Sequence, residues 1–403
     1  MIRWINKKIG TAAWSSVISV PDYFKLDVRE LVDDYGNNNE HIANLIKNGI
    51  EILKEFNKLI ICCEYGMSRS NAIAVAIISI TENISFERSL ECVINSVKEN
   101  QIKLEVLKSV SEYLKQKRTE FKKSKNILLI DHNGFIAKRI TKKTKKDNYL
   151  ILSHGINFSI LLSNPARLYL FICKNNVEKI VLISIAQITN TNSYVNNLLY
   201  FLKNILDVCT ITLSKFIFLS SLDVYNGIKV KTLLLNSKSN QKKKPEGAKG
   251  IAFSLAEELI FYYQNKLNSN FSIIRIPTTY GHDKIPFFIK NFIEKAKKGK
   301  EINIHSYQNN LAWINLIHVN DLIDFIELIL QNKICGIYNI DGAELLNSET
   351  ISKLVVRHFS SSSIISIVFI EKKHTQIKIN NSHLKKEIGW FPKEKLINTI
   401  KNL

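Results

Sequence analysis

The sequence predicts an α/β protein in two parts. A small α/β domain is expected over residues 1–121, and a doubly wound parallel sheet with a C-terminal substrate lobe over residues 122–403. Three observations carry this expectation. At 403 residues the chain exceeds the roughly 250–300 residues at which a single core stops growing. The run Gln116–Asn126 (QKRTEFKKSKN) is almost wholly polar and separates two rhythms of apolar residues. Beyond it, short apolar strands alternate with helical stretches, as in a parallel sheet covered on both faces.

In the first part, apolar spacing predicts a helix over Ile42–Phe56 and a short buried strand over Lys58–Cys62. Helices are then expected over Asn71–Ile80, Phe86–Val97 and Ile102–Leu114. In the second part, Asn126–Ile130, Tyr149–Leu152, Lys179–Ile185 and Lys215–Leu219 read as strands. With 45% hydrophobic and 23% charged residues, the composition is that of a folded chain. No apolar run reaches the roughly 18 residues of a membrane helix, and Met1–Gly10 has no signal-peptide core. The six cysteines include no C-x-x-C pair, and adjacent Cys62 and Cys63 suit an ordinary disulfide poorly. A cytoplasmic protein with reduced thiols is expected, without a membrane partner. The net charge of +20 comes from scattered lysines with no aromatic-interleaved stripe, so nucleic acid is not an expected partner.

The segment from Leu59 to Ser70, LIICCEYGMSRS, carries the most chemistry. A buried strand ends at Cys63, a short loop follows, and a helix opens near Arg69. Successive N–H groups of such a loop converge on a tetrahedral anion, and the helix dipole adds positive potential. The same field lowers a thiol pKa and favours the nucleophilic thiolate. Arg69 offers a bidentate fork for phosphate oxygens. Gly66 gives the tight loop its backbone freedom. Ser70 can hydrogen-bond the sulfur.

This segment resembles the signature loop of the protein tyrosine and dual-specificity phosphatases, H-C-x5-R-S/T. Together with LDVRELVD at 26–33 it is similar to small bacterial members of that superfamily. The resemblance implies a cysteine-dependent phosphomonoester hydrolase working through a phosphocysteine. Cys63 would be the nucleophile, Arg69 and Ser70 its partners, and Glu64, Tyr65, Gly66, Met67 and Ser68 the phosphate-binding loop. It also implies a general acid about thirty residues upstream, which puts Asp33 first and Asp34 second, with Glu30 and Asp27 as competitors. Cys62 stands where the family has histidine. No metal or organic cofactor is expected for this reaction. The loop holds no Lys or Arg beyond Arg69, so the implied substrate is a monophosphate on a protein or a small molecule.

The second part resembles the extended short-chain dehydrogenases, the NAD-dependent epimerase/dehydratase family, with a Rossmann-like sheet. The carrying segments are ILLIDHNGFIA at 127–137, FLSSLDVY at 218–225, RIPTTYG at 275–281, HVNDL at 318–322 and IGWFP at 388–392. The resemblance implies NAD(P) at the first turn, with Gly134 and Ala137 as cofactor-binding residues, and a sugar nucleotide as partner. It places Ser221 at the family's Ser/Thr position. The chain departs from the family at Asp131, in the place of the first glycine. No acidic residue follows the second strand. Lys249 and Phe253 stand where the catalytic Tyr and Lys belong. The expectation is therefore a phosphatase fused to an epimerase-like domain with a binding or regulatory role. The alternatives are an NAD-dependent nucleotide-sugar enzyme with an appended phosphatase module, and a non-catalytic phospho-binding adaptor.

Overall fold

Leu59–Cys63 is buried at every position, which is why it lies inside a sheet rather than at an edge. In the computed structural model, residues 1–34, 36–97, 102–115, 125–144, 148–184, 191–230, 232–237, 243–267, 271–332 and 335–402 are described. The domain boundary expected at residue 121 lies outside them.

The chain forms two compact units that interleave along the sequence. The first comprises Met1–Leu128, His154–Glu178 and Tyr200–Ser214. Its strands are β1 (Arg3–Trp4), β2 (Ile9–Ala13), β3 (Lys25–Asp27) and β4 (Leu59–Cys63). They form one sheet in the order β1-β2-β4-β3, with β2 and β3 both parallel to β4. Its helices are α1 (Asn39–Phe56), α2 (Arg69–Thr81), α3 (Phe86–Val97) and α4 (Leu104–Lys115). Every residue of α2 from Ser70 to Ser79 is buried, and α1, α3 and α4 pack around it. A helix apolar on all sides is a core helix. Asn38 caps α1 by accepting from the Glu40 N–H, and Asn57 ends it in the left-handed region.

The second unit comprises Leu129–Ser153, Lys179–Leu199 and Lys215–Leu403. It is built on β5 (Asn126–Asp131), α5 (Phe135–Thr144), β6 (Tyr149–Leu152), α6 (Ile156–Ser163), α7 (Pro165–Lys174), β7 (Val177–Ser184), α8 (Thr191–Thr212) and β8 (Lys215–Ser221). Of these, α6, α7, α8 from Tyr200 onward, and the opening residues of β5 (to Leu128) and β7 (to Glu178) belong to the first unit. Next come β9 (Leu233–Asn236), α9 (Gly247–Leu267), β10 (Phe271–Ile276), β11 (Thr278–Tyr280), α10 (Phe287–Lys297), β12 (Ile302–Tyr307) and β13 (Asn310–Leu311). The chain continues through β14 (Trp313–Ile314), β15 (Leu316–His318), α11 (Val319–Gln331), β16 (Gly336–Asn339), β17 (Leu346–Asn347), α12 (Ser348–His358), β18 (Ile365–Ile370) and β19 (Ile377–Asn380). Two short helices, α13 (Ser382–Ile388) and α14 (Leu396–Ile400), close it.

Six strands form one sheet in the order β16-β10-β8-β7-β5-β6. The pairs β10–β16, β10–β8 and β7–β8 are parallel, as strand–helix alternation requires. A C-terminal lobe follows, with the small sheet β13-β12-β18 and helices α10, α12 and α14 around one apolar cluster. Two parallel pairs distant in sequence, β9–β19 and β11–β15, belong to this unit as well.

Inside the second unit a buried polar network fixes α9 against the sheet. Arg275 and Glu257 are each fully buried and paired through Nη2–Oε2 at 2.7 Å and Nε–Oε1 at 2.9 Å. The Ser220 hydroxyl donates to Glu257, Arg275 donates to the Tyr225 hydroxyl, and that hydroxyl donates to Asn339. Two buried charges are tolerated because every partner is supplied.

Candidate functional site

Two places in the molecule gather polar chemistry. The first is the loop between β4 and α2. The Cys63 thiol lies 3.3 Å from the Ser70 hydroxyl and is 2% exposed. Burial opposes its ionisation, but hydrogen bonds from the Ser70 side chain and from the N–H groups of Ser70, Gly66 and Met67 outweigh that and lower its pKa. Neighbouring Cys62 is the opposite case: burial, with the Asp27 charge, pushes it up to about 12. Its thiol donates to the Leu26 carbonyl. Gly66 sits at φ +68°, and a Cβ there would meet the Ala12 and Ala13 backbone at 2.4 Å. Only glycine fits that turn.

The structure brings Asp33 to this loop, where the Ser68 hydroxyl donates to its carboxylate at 2.6 Å. The competing acids lie elsewhere: Asp27 binds Arg29, and Glu30 faces His41. Glu64 and Tyr65 are exposed, and Met67 is half-buried. The Arg69 guanidinium donates through Nη1 to the carbonyls of Arg29 and Leu31, both at 2.8 Å. It ties the 29–31 segment to the start of α2.

The second place lies at the C-terminal end of β8, where ligands collect in open α/β sheets. Ser221 ends the strand, and its hydroxyl donates to Asp223 Oδ2 at 2.8 Å. Lys249, on α9, pairs with the same oxygen at 2.6 Å, and Asn226 donates to Asp223 Oδ1 at 2.8 Å. Burial raises the Asp223 pKa, but Lys249, Ser221 and Asn226 together carry it below the usual carboxylate range. The group is therefore ionised at neutral pH. These residues line a cavity of about 230 Å³ with Thr278, Trp313, Asn315, His374 and Thr375. Burial lowers the His374 pKa, so its imidazole faces the cavity neutral near pH 7.

Residues 127–341, more than half of the chain, match the model of the NAD dependent epimerase/dehydratase family. The chain belongs to that family. Solved structures agree on the fold. A UDP-glucose 4-epimerase from Thermotoga maritima, solved with UDP-glucose, superposes with a TM-score of 0.57 at 15% identity, covering 68% of this chain and 96% of the other. A dTDP-glucose 4,6-dehydratase from Bacillus anthracis, in complex with NAD, gives 0.56 at 17%, covering 69% and 94%. A UDP-glucuronic acid 4-epimerase from Bacillus cereus, also with NAD, gives 0.56 at 19%, covering 69% and 96%. No curated protein matches the chain.

These findings correct the principal expectation from sequence. The family that matches is an epimerase/dehydratase family, and the structures that match are epimerases and dehydratases, so the phosphoric monoester hydrolase assignment is withdrawn. None of these matches shows a phosphatase domain or a phosphorylated-protein substrate. Cys63 lies beside Ser70 and Asp33 reaches the loop through Ser68, while Arg69, the group expected to grip phosphate, donates through Nη1 to two main-chain carbonyls. Of the described residues, no helix is long and apolar enough to cross a membrane.

The family implies a nicotinamide dinucleotide, and the residues at its usual seat do not fit one. Gly134 has the positive φ of the turn, +68°, and Ala137 is buried inside the first turn of α5. Asp131, however, directs its carboxylate onto the N–H groups of Ile136 and Ala137, both at 3.0 Å. After β6 come Ser153 and His154, with no acid to hold a ribose. Other landmark residues serve the scaffold. His318 caps α11 through Nδ1, and Asp321 accepts from the Lys393 and Glu394 N–H groups, anchoring the C-terminal segment.

Sequence reasoning placed Lys249 at the family's tyrosine position but missed its pairing with Asp223. The signal was present: the LDVY turn after β8 puts an acid two residues beyond Ser221.

Proposed function

We propose that the second unit binds a nucleoside-diphosphate sugar, with the hexose in the cavity at the end of β8. The observation that carries this reading is the Ser221–Asp223–Lys249 cluster beside that cavity. An ionised carboxylate accepts from vicinal sugar hydroxyls, while a lysine ammonium donates to ring or glycosidic oxygens. Asn226, Thr278, Asn315 and Thr375 add neutral donors and acceptors, and the Trp313 ring supplies an apolar wall. The cavity is smaller than the roughly 300–1,000 Å³ of sites that enclose a whole drug-sized ligand. It takes one sugar ring, with the nucleotide outside on the surface of the unit. The T. maritima epimerase of similar fold is solved with UDP-glucose, which gives the ligand class for the first trial.

Binding is the proposed role, not hydride chemistry. The family's proton-transferring Tyr and its Lys partner correspond to Lys249 and Phe253 here, so no reaction step is assigned. The test is calorimetric titration of the full chain with UDP-glucose and dTDP-glucose, with uridine and glucose as controls. Wild-type protein should bind a sugar nucleotide, and Lys249→Met should weaken it at least about tenfold, the share of a charged hydrogen bond. Equal affinity in wild type and variant, or none in wild type, overturns the reading.

A further inference from the structure

The N-terminus of a helix presents up to four N–H groups without intrahelical partners, together with the positive end of its dipole. In a dinucleotide-binding turn those groups receive the cofactor's diphosphate. In this chain two of them are already engaged. Asp131, the last residue of β5, is 2% exposed and sends Oδ2 to the N–H groups of Ile136 and Ala137 at 3.0 Å each. Its other oxygen, Oδ1, accepts from the Ser184 hydroxyl at the end of β7, at 2.7 Å. Both carboxylate oxygens are thus held, one by the helix and one by the neighbouring strand.

The rest of the turn keeps the family's shape. Gly134 retains its positive φ, and its N–H donates to the Asp131 carbonyl at 2.9 Å. A Cβ built on Gly134 would meet nothing nearer than the end of the Lys138 side chain at 3.4 Å, so the approach to the turn is not closed by packing. The carboxylate alone occupies the anion seat. We propose that Asp131 is an internal anion that replaces the cofactor diphosphate at the N-terminus of α5, leaving this turn closed to nicotinamide dinucleotides. An arriving diphosphate would meet a like charge already bonded to the amides it needs, and expelling that carboxylate would strand the Ser184 hydroxyl. The turn that other members order with a bound cofactor is ordered here by the chain itself.

The proposal predicts a gain of function. The full chain, as wild type, Asp131→Gly and Asp131→Asn, is titrated by calorimetry with NAD+, NADH, NADP+ and NADPH, and folding is checked by circular dichroism. Wild type should show no binding up to about 1 mM, and Asp131→Gly should bind one of the dinucleotides at least about tenfold more tightly than that limit. That variant's melting temperature should fall without ligand and recover with it. Should Asp131→Gly fail to fold, Asp131→Asn decides, because it keeps an acceptor for the helix while removing the charge. Wild-type binding in the micromolar range overturns the proposal. So does a folded Asp131→Gly or Asp131→Asn that binds no better than wild type. A parallel UDP-glucose titration separates this outcome from that of the sugar pocket, which does not involve Asp131.

Discussion

Replacing Glu257 by Gln tests the network that holds α9, and with it Lys249, against the sheet. Arg275 is fully buried and bonds the Glu257 carboxylate through both Nε and Nη2. Lys243 lies 3.2 Å from the same carboxylate. The substitution leaves a guanidinium in the interior with one neutral acceptor where it had a full negative charge. Breaking a buried pair from one side destabilises by about 3–5 kcal/mol. Since the amide oxygen retains one hydrogen bond, the lower end applies, about 3 kcal/mol. At about 2–4 °C per kcal/mol for a unit of this size, the melting temperature should fall about 6–12 °C. Scanning calorimetry gives the shift, and hydrogen exchange at the β8 and β10 amides assigns it to the second unit. The double replacement Glu257→Leu with Arg275→Met should recover most of the loss, because an apolar pair carries no stranded charge. A fall below about 2 °C for Glu257→Gln, or a double variant worse than the single one, refutes the reasoning.

Three further outcomes are expected. Burial raises the Asp341 carboxyl to about 7 against the resisting Asn315 and Gly342 hydrogen bonds, so between about pH 4 and 7 the folded chain holds a proton that the unfolded chain has released. Stability should therefore fall as pH rises through that window and level off above it, by up to about 4 kcal/mol. Asp341→Asn should flatten this part of the pH profile in urea titrations, and an unchanged profile contradicts it. Gly66→Ala should destabilise the first unit by at least about 2 kcal/mol, since its Cβ meets main-chain atoms of β2 at a left-handed φ. Thermal melts measure that. Limited iodoacetamide treatment at pH 7 should label Cys63 ahead of Cys62, as read by peptide mass spectrometry, and Ser70→Ala should slow the labelling of Cys63 by raising its pKa.

Much of the fold was legible in the sequence where the pattern is local. The run LIICC and the apolar run Ala72–Ile78 announce β4 and α2, and the strands of the parallel sheet fall within a few residues of their expected places. The strands β1 and β3, of two and three residues, are too short to leave a period. The β9–β19 pair was invisible because its members lie more than 140 residues apart, and each is only four residues long. The misjudged function has the same origin. A thiol at a strand end, a tight glycine loop and a helix form a short segment that reads strongly by itself, whereas family membership is spread over residues 127–341. At Asp131 the sequence showed a carboxylate in the wrong place for a diphosphate, but only the fold shows that it sits on the helix amides.

The most direct measurement of the central claim is a crystal structure of the full chain soaked with millimolar UDP-glucose. The account predicts hexose density in the cavity at the end of β8, with sugar hydroxyls within hydrogen-bonding distance of the Asp223 carboxylate and the Lys249 ammonium. Density for the sugar nucleotide elsewhere, such as the larger cavity beside Asp341 and Lys378, would contradict it, as would an empty site at saturating ligand.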